Sequence, residues 1–141
     1  MRRLLLLAAL AACGRPAPPP VEEQASRDVP ADVQPLADEL FELVDRAAEY
    51  RGSHRGRPAT ALRELGVDSL TPTLVRELDE AVPLGFTVRL RRGGDDVSAC
   101  SGGEEILEQA SLHEGRFTVR CDTPAGLRTF EVSRSRGPAS P

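Results

Sequence analysis

Pro83-Leu84-Gly85-Phe86-Thr87-Val88-Arg89-Leu90-Arg91-Arg92-Gly93-Gly94 is the stretch whose pattern decides the fold. From Phe86 the apolar residues fall at every second position, with Thr87, Arg89 and Arg91 between them, which is the period of a strand half buried on a core. Gly93-Gly94 then supplies a turn, and Asp96 to Ser101 is the length of a returning strand, so the segment predicts a hairpin. Before Pro83 the apolar spacing is close to four. A period that changes from four to two in mid-chain predicts helices first and strands after. That order implies an α+β domain, with an N-terminal amphipathic helix and shorter helices covering one face of a C-terminal antiparallel sheet of about four strands.

Downstream, Phe117, Val119 and Cys121 alternate with Arg116, Thr118 and Arg120, and Thr123-Pro124-Ala125-Gly126 turns the chain into a last strand from Leu127 to Ser133. Residues 103 to 114 stay open between a helical turn and an irregular strand, with Ile106, Leu107, Ala110 and Leu112 as their apolar set.

Upstream, Val33, Leu36, Leu40, Leu43, Val44 and Ala47 make an amphipathic stripe to about Tyr50. Asp32 is placed to cap it, Pro35 falls in its first turn, and Glu42 and Arg46 stand one turn apart. Thr60 to Gly66 reads as one or two helical turns stopped by glycine. A second helix is expected from Thr71 as N-cap and Pro72 at the first position, with Leu74, Val75, Leu78, Ala81 and Val82 as its stripe.

Beyond the domain, Gly14-Arg15-Pro16-Ala17-Pro18-Pro19-Pro20 opens a proline-rich linker that runs to Ala31. At roughly 3.1 Å per residue it spans up to about 50 Å. Met1-Arg2-Arg3 followed by Leu4 to Ala12 and then Cys13 has the order of an export signal: a basic start, an apolar run and a processing site. The apolar run is well short of the roughly 20 residues that a membrane-spanning helix needs. Leu10-Ala11-Ala12-Cys13 resembles the lipobox of bacterial lipoproteins. The resemblance implies cleavage before Cys13 and diacylglycerol on its thiol, and Gly14, which is not acidic, implies an outer-membrane address facing the periplasm in a Gram-negative cell. The expected organisation is therefore a signal at 1–12, a lipid anchor and linker at 13–31, one globular domain at 32–135 and a disordered tail at 136–141.

With Cys13 acylated, Cys100 and Cys121 remain as an even pair in an oxidising compartment, and they are expected to form a disulfide closing about 22 residues, worth ~3 kcal/mol. The chain carries 18 basic residues against 22 acidic, and every basic residue is Arg. Loss of Arg2 and Arg3 leaves a net charge of −6, which speaks against nucleic acid as a partner. No cofactor is expected.

Leu43 to Leu70 resembles the headpiece of type IV pilins and of the pseudopilins of secretion systems, carried by Ala47-Ala48-Glu49-Tyr50, Gly52, Gly56, Pro58 and Leu62 to Gly66. The likeness extends over about residues 38–121, since a C-terminal sheet with a disulfide is common in those proteins. Pilin-like subunits start with a long apolar helix, whereas a lipid anchor and a proline tether stand here. The resemblance thus implies a protein-interaction surface and not a filament subunit.

For chemistry, Ser53-His54 invites a hydrolase reading, but neighbours in sequence seldom face each other as nucleophile and base, and no G-x-S-x-G elbow is present. His113 reads as a turn residue. Asp95-Asp96 and Glu104-Glu105 offer oxygen ligands without a calcium-loop pattern, and Arg51, Arg55 and Arg57 form a local basic cluster. Two functions follow as expectations: a non-enzymatic envelope lipoprotein that binds another envelope protein as a pilin-like accessory component, or a lipid-anchored hydrolase or small-ligand-binding protein.

Overall fold

A computed structural model describes residues 25–134. The expected signal, Cys13, the expected linker up to Gln24 and the expected tail lie outside the described residues. The protein is α+β. Helix α1 (Val33–Ser53) is followed by a 3-10 turn (Leu62–Leu65), strands β1 (Leu74–Asp79), β2 (Gly85–Arg92) and β3 (Asp95–Gly102), helix α2 (Glu105–Leu112), and strands β4 (Arg116–Thr123) and β5 (Gly126–Ser133). The strands form one antiparallel sheet in the order β1-β2-β3-β4-β5.

The expected stripe of α1 is buried in full, and Ala37 and Phe41 widen it. It packs on Phe86 and Val88 of β2, Cys100 of β3, Phe117, Val119 and Cys121 of β4, and Phe130 and Val132 of β5. Phe41 meets Phe117 with ring centroids 5.5 Å apart, and the guanidinium carbon of Arg134 lies 4.4 Å from the Phe41 ring centroid. Glu42 and Arg46 pair at 3.0 Å as their spacing predicts. Asp32 does not cap α1 through its side chain; its carboxylate meets Arg92 at 2.5 Å instead. The helix also runs through Gly52 to Ser53, beyond Tyr50.

The sheet has five strands, not about four, because the segment expected to be a second helix forms β1. Thr71 still acts as a cap would: its Oγ1 accepts the Leu74 amide at 3.1 Å. Its own amide, however, donates to the Leu74 carbonyl at 2.9 Å, which closes a tight turn through Pro72-Thr73 and pairs Leu70 with Val75. In strand geometry Leu74, Arg76 and Leu78 face the helices. Arg76 is matched there by Glu39 of α1, with the two side chains only 12% and 23% exposed.

Residues 105–112 resolve as helix. Ile106 and Ala110 are buried against the sheet, and α2 serves as the crossover from β3 to β4. Gly93 and Gly94 both take positive φ, as the two-residue turn of the β2–β3 hairpin requires. Cys100 and Cys121 are direct cross-strand partners on the inner face and form a disulfide. Both sheet edges are partly covered by the chain itself. Leu70 lies on β1, and Ser26 lies parallel to β5, bonded to Thr129 and Glu131 at 3.0 and 2.9 Å. The sheet thus recruits part of the segment that the sequence assigns to the linker.

Candidate functional site

The C-terminal end of α1 places the residues that the sequence singles out for chemistry. Contrary to expectation, Ser53 and His54 do meet, with Ser53 Oγ 3.0 Å from His54 Nδ1. The geometry is that of a helix end and does not activate a nucleophile. Nδ1 also lies 2.7 Å from the Tyr50 carbonyl oxygen, which only accepts, so Nδ1 carries the proton. The Ser53 hydroxyl donates to the same carbonyl at 3.1 Å. Its proton is therefore directed at backbone, not at a basic nitrogen. The imidazole stacks on the Tyr50 ring at 3.7 Å, completing a satisfied helix terminus.

The neighbouring arginines separate. Arg51 donates to Glu104 at 2.7 Å and so ties α1 to the start of α2, while Arg55 and Arg57 stay exposed. Asp95-Asp96 and Glu104-Glu105 lie at opposite ends of β3, about 25 Å apart at roughly 3.3 Å per residue. Among the described residues no three His, Cys, Asp or Glu side chains come together to hold a metal ion. His113 is exposed after α2, beside a polar cleft of 330 Å³ that includes Gln109, Arg116 and Glu131. Gln109 Oε1 is committed there to the amide and hydroxyl of Thr118, at 2.7 and 3.0 Å.

Glu64 lies in a wide groove beside α1. Its Oε2 accepts the amides of Thr60 at 2.6 Å and Ala61 at 3.2 Å, reaching back over the start of the 3-10 turn as an N3 glutamate does. Its pKa lies below the ordinary glutamate value. The Thr60 amide is the largest cause; desolvation opposes it, and the Ala61 amide and the hydroxyls of Thr60 and Tyr50 add to the lowering.

The apolar concavity is elsewhere. A cavity of 210 Å³ opens where the β1–β2 connection passes the C-terminal half of α1, lined by Ala47, Ala59, Leu78, Val82, Leu84 and Phe86 among others. The local sequence explains its walls. Leu84 takes φ +51, a left-handed conformation unusual for a leucine, and so turns the chain tightly after Pro83. A Cβ on Gly85 would lie 2.6 Å from Val82 Cβ, and one on Gly103 would lie 2.6 Å from the Pro83 oxygen. The wall can sit this close to β2 and α2 only because both positions are glycine. The charged side chains at the cavity are Asp79 and Glu80, both acidic.

Sequence reasoning missed this site, because it read Val82 and Leu78 as one stripe of a helix. The signal available was Pro83-Leu84-Gly85, a turn that leaves an apolar residue beside the strand entrance. In comparisons with known proteins, no family model, no curated protein and no solved structure matches this chain.

Proposed function

We propose that the chain is an exported bacterial lipoprotein, anchored through Cys13 and facing the periplasm from the outer membrane, whose α+β domain binds another envelope protein without catalysing a reaction. The observation that carries it is the use of cysteine. Cys100 and Cys121 are joined to each other, so of the three cysteines only Cys13 is left for another role, and it stands directly after the apolar run Leu4 to Ala12. A disulfide buried between β3 and β4 suits an oxidising compartment. The pilin-like headpiece resemblance fits an accessory protein of envelope assembly or secretion on the same terms. The non-catalytic part rests on Ser53 and His54, whose protons are committed to the Tyr50 carbonyl.

The experiment is expression of the full chain and of its Cys13→Ser variant, with washed membranes and intact mass as readouts. The expected result is a mature chain beginning at a diacylglyceryl Cys13 that stays with membranes, while the variant is released. A variant that remains membrane-bound after washing overturns the anchor. Crosslinking in cells should recover a protein partner; turnover of a substrate by purified protein with no partner recovered would favour the anchored hydrolase or ligand-binding reading instead.

A further inference from the structure

The β1 edge of the sheet is covered only in part, and the uncovered part adjoins the apolar cavity. In the β1–β2 ladder, Arg76 turns its amide away from β2 to the Ser69 carbonyl at 2.7 Å. Alternation in an antiparallel pair therefore turns the N–H and C=O of Leu78 to the same outer side. Among the described residues nothing bonds to them. A groove of 630 Å³ runs along this edge between Val67–Ser69 and Arg76–Leu78, and Leu78 lines both the groove and the 210 Å³ cavity.

We propose that this edge is a strand-addition site for an extended segment of the partner protein, with one large apolar side chain seated in the cavity and an Arg or Lys beside it. The proposal rests on the partner-binding reading above and names the partner's chemistry. A strand laid along Leu78 turns alternate side chains toward the helix side of the sheet, where Ala47, Ala59, Val82 and Phe86 wall the cavity. The volume is below the roughly 300–1,000 Å³ of small-molecule sites and suits a single side chain. Charge selects the flank. Asp79 and Glu80 stand at the cavity with no base among its lining, and the exposed Glu80 holds no ion pair among the described residues. Arg76 is neutralised by Glu39, and Glu77 by Arg89, so neither alters that balance. Arg63 and Asp68 offset each other along the groove, which confines the acidic signature to the cavity end.

The probe is a display library of random extended peptides selected on the folded domain in the context of the full chain. The expected winners carry a large aliphatic or aromatic residue next to Arg or Lys, slow the amide exchange of Leu78 when bound, and bind about tenfold or more weakly to Glu80→Arg and to Val82→Arg. Glu80 is exposed, so its variant keeps the fold even where Val82→Arg does not. Winners without the apolar-basic pattern, unchanged Leu78 exchange, or unchanged binding to Glu80→Arg overturn the proposal. A photo-crosslinking residue placed at Glu80, or at Arg120 on the opposite face of the sheet, separates the two readings in cells. Capture at Glu80 that is lost in Val82→Arg supports the site. Capture at Arg120 alone overturns the site and leaves a partner in place, and capture at neither overturns both.

Discussion

Gly103 is buried, and a methyl group there would lie 2.6 Å from the Pro83 carbonyl oxygen, the same oxygen that receives the Glu104 amide at 3.0 Å. Backbone, not a flexible side chain, would have to move. Gly103→Ala is expected to cost about 1–3 kcal/mol in urea unfolding. Gly52, with nothing within 4 Å of a built Cβ and a helical position in α1, is the matched contrast. Its change to Ala should leave stability equal or raise it by up to ~1 kcal/mol. Glu64 illustrates a charge effect at the same scale. Its folded pKa is lowered, so its contribution to stability is present above the ordinary glutamate range and lost as the pH falls through the lowered value. The stability difference between the protein and Glu64→Gln should therefore shrink on acidification; a difference constant with pH would mean that the Thr60 and Ala61 amides do not hold the carboxylate in solution.

At the scale of elements, legibility followed periodicity. The stripe of α1, the 3-10 turn ended by Gly66 at φ +69, the Gly93-Gly94 hairpin and the alternation of β4 were all readable, because each repeats a pattern over several residues or needs a particular turn residue. The segment 71–83 was misread for a definable reason. Its inward row is Leu74, Arg76, Leu78, and the charge in the middle hides a period of two, while Leu74, Val75 and Leu78 also satisfy a helical spacing. Only tertiary structure supplies the missing fact, a glutamate on a helix 37 residues earlier to receive the guanidinium. Residues 105–112 were ambiguous because eight residues hold barely two turns, and the buried pair Ile106 and Ala110 fits either reading. The cavity was illegible for the same reason as β1, since its wall is the connection out of that strand. The Arg76–Glu39 pair gives this scale its test. Glu39→Ala leaves a mostly buried cation without its counter-charge, held by the Asp68 carbonyl at 3.0 Å, and should cost roughly 2–4 kcal/mol, whereas replacing both partners by apolar residues of similar size should recover most of that loss. Equal losses in the single and double variants would count against the pairing.

For the whole molecule, one layer of helices lies on one layer of sheet, and the disulfide sits at the centre of the contact. Cys100 and Cys121 stand in the middle three strands, both at most 1% exposed and packed under α1. Replacing both by Ala is expected to lower stability by about 2–4 kcal/mol, through a less restrained unfolded chain, while the five-stranded sheet persists in circular dichroism. An unfolded double variant would show instead that the helices and strands cannot close this core unaided. The proposed anchor also gives the Ser26 pairing a mechanical meaning. If that proposed anchor holds the chain to a bilayer, a pull on the domain would reach the described residues beside Ser26, where its bonds to Thr129 and Glu131 on the outermost strand and the Arg27–Glu131 ion pair would bear it first. Under that proposal these contacts would serve as a sacrificial latch. Their opening would release a few residues of extra reach before tension came on α1 and the bridged strands behind it.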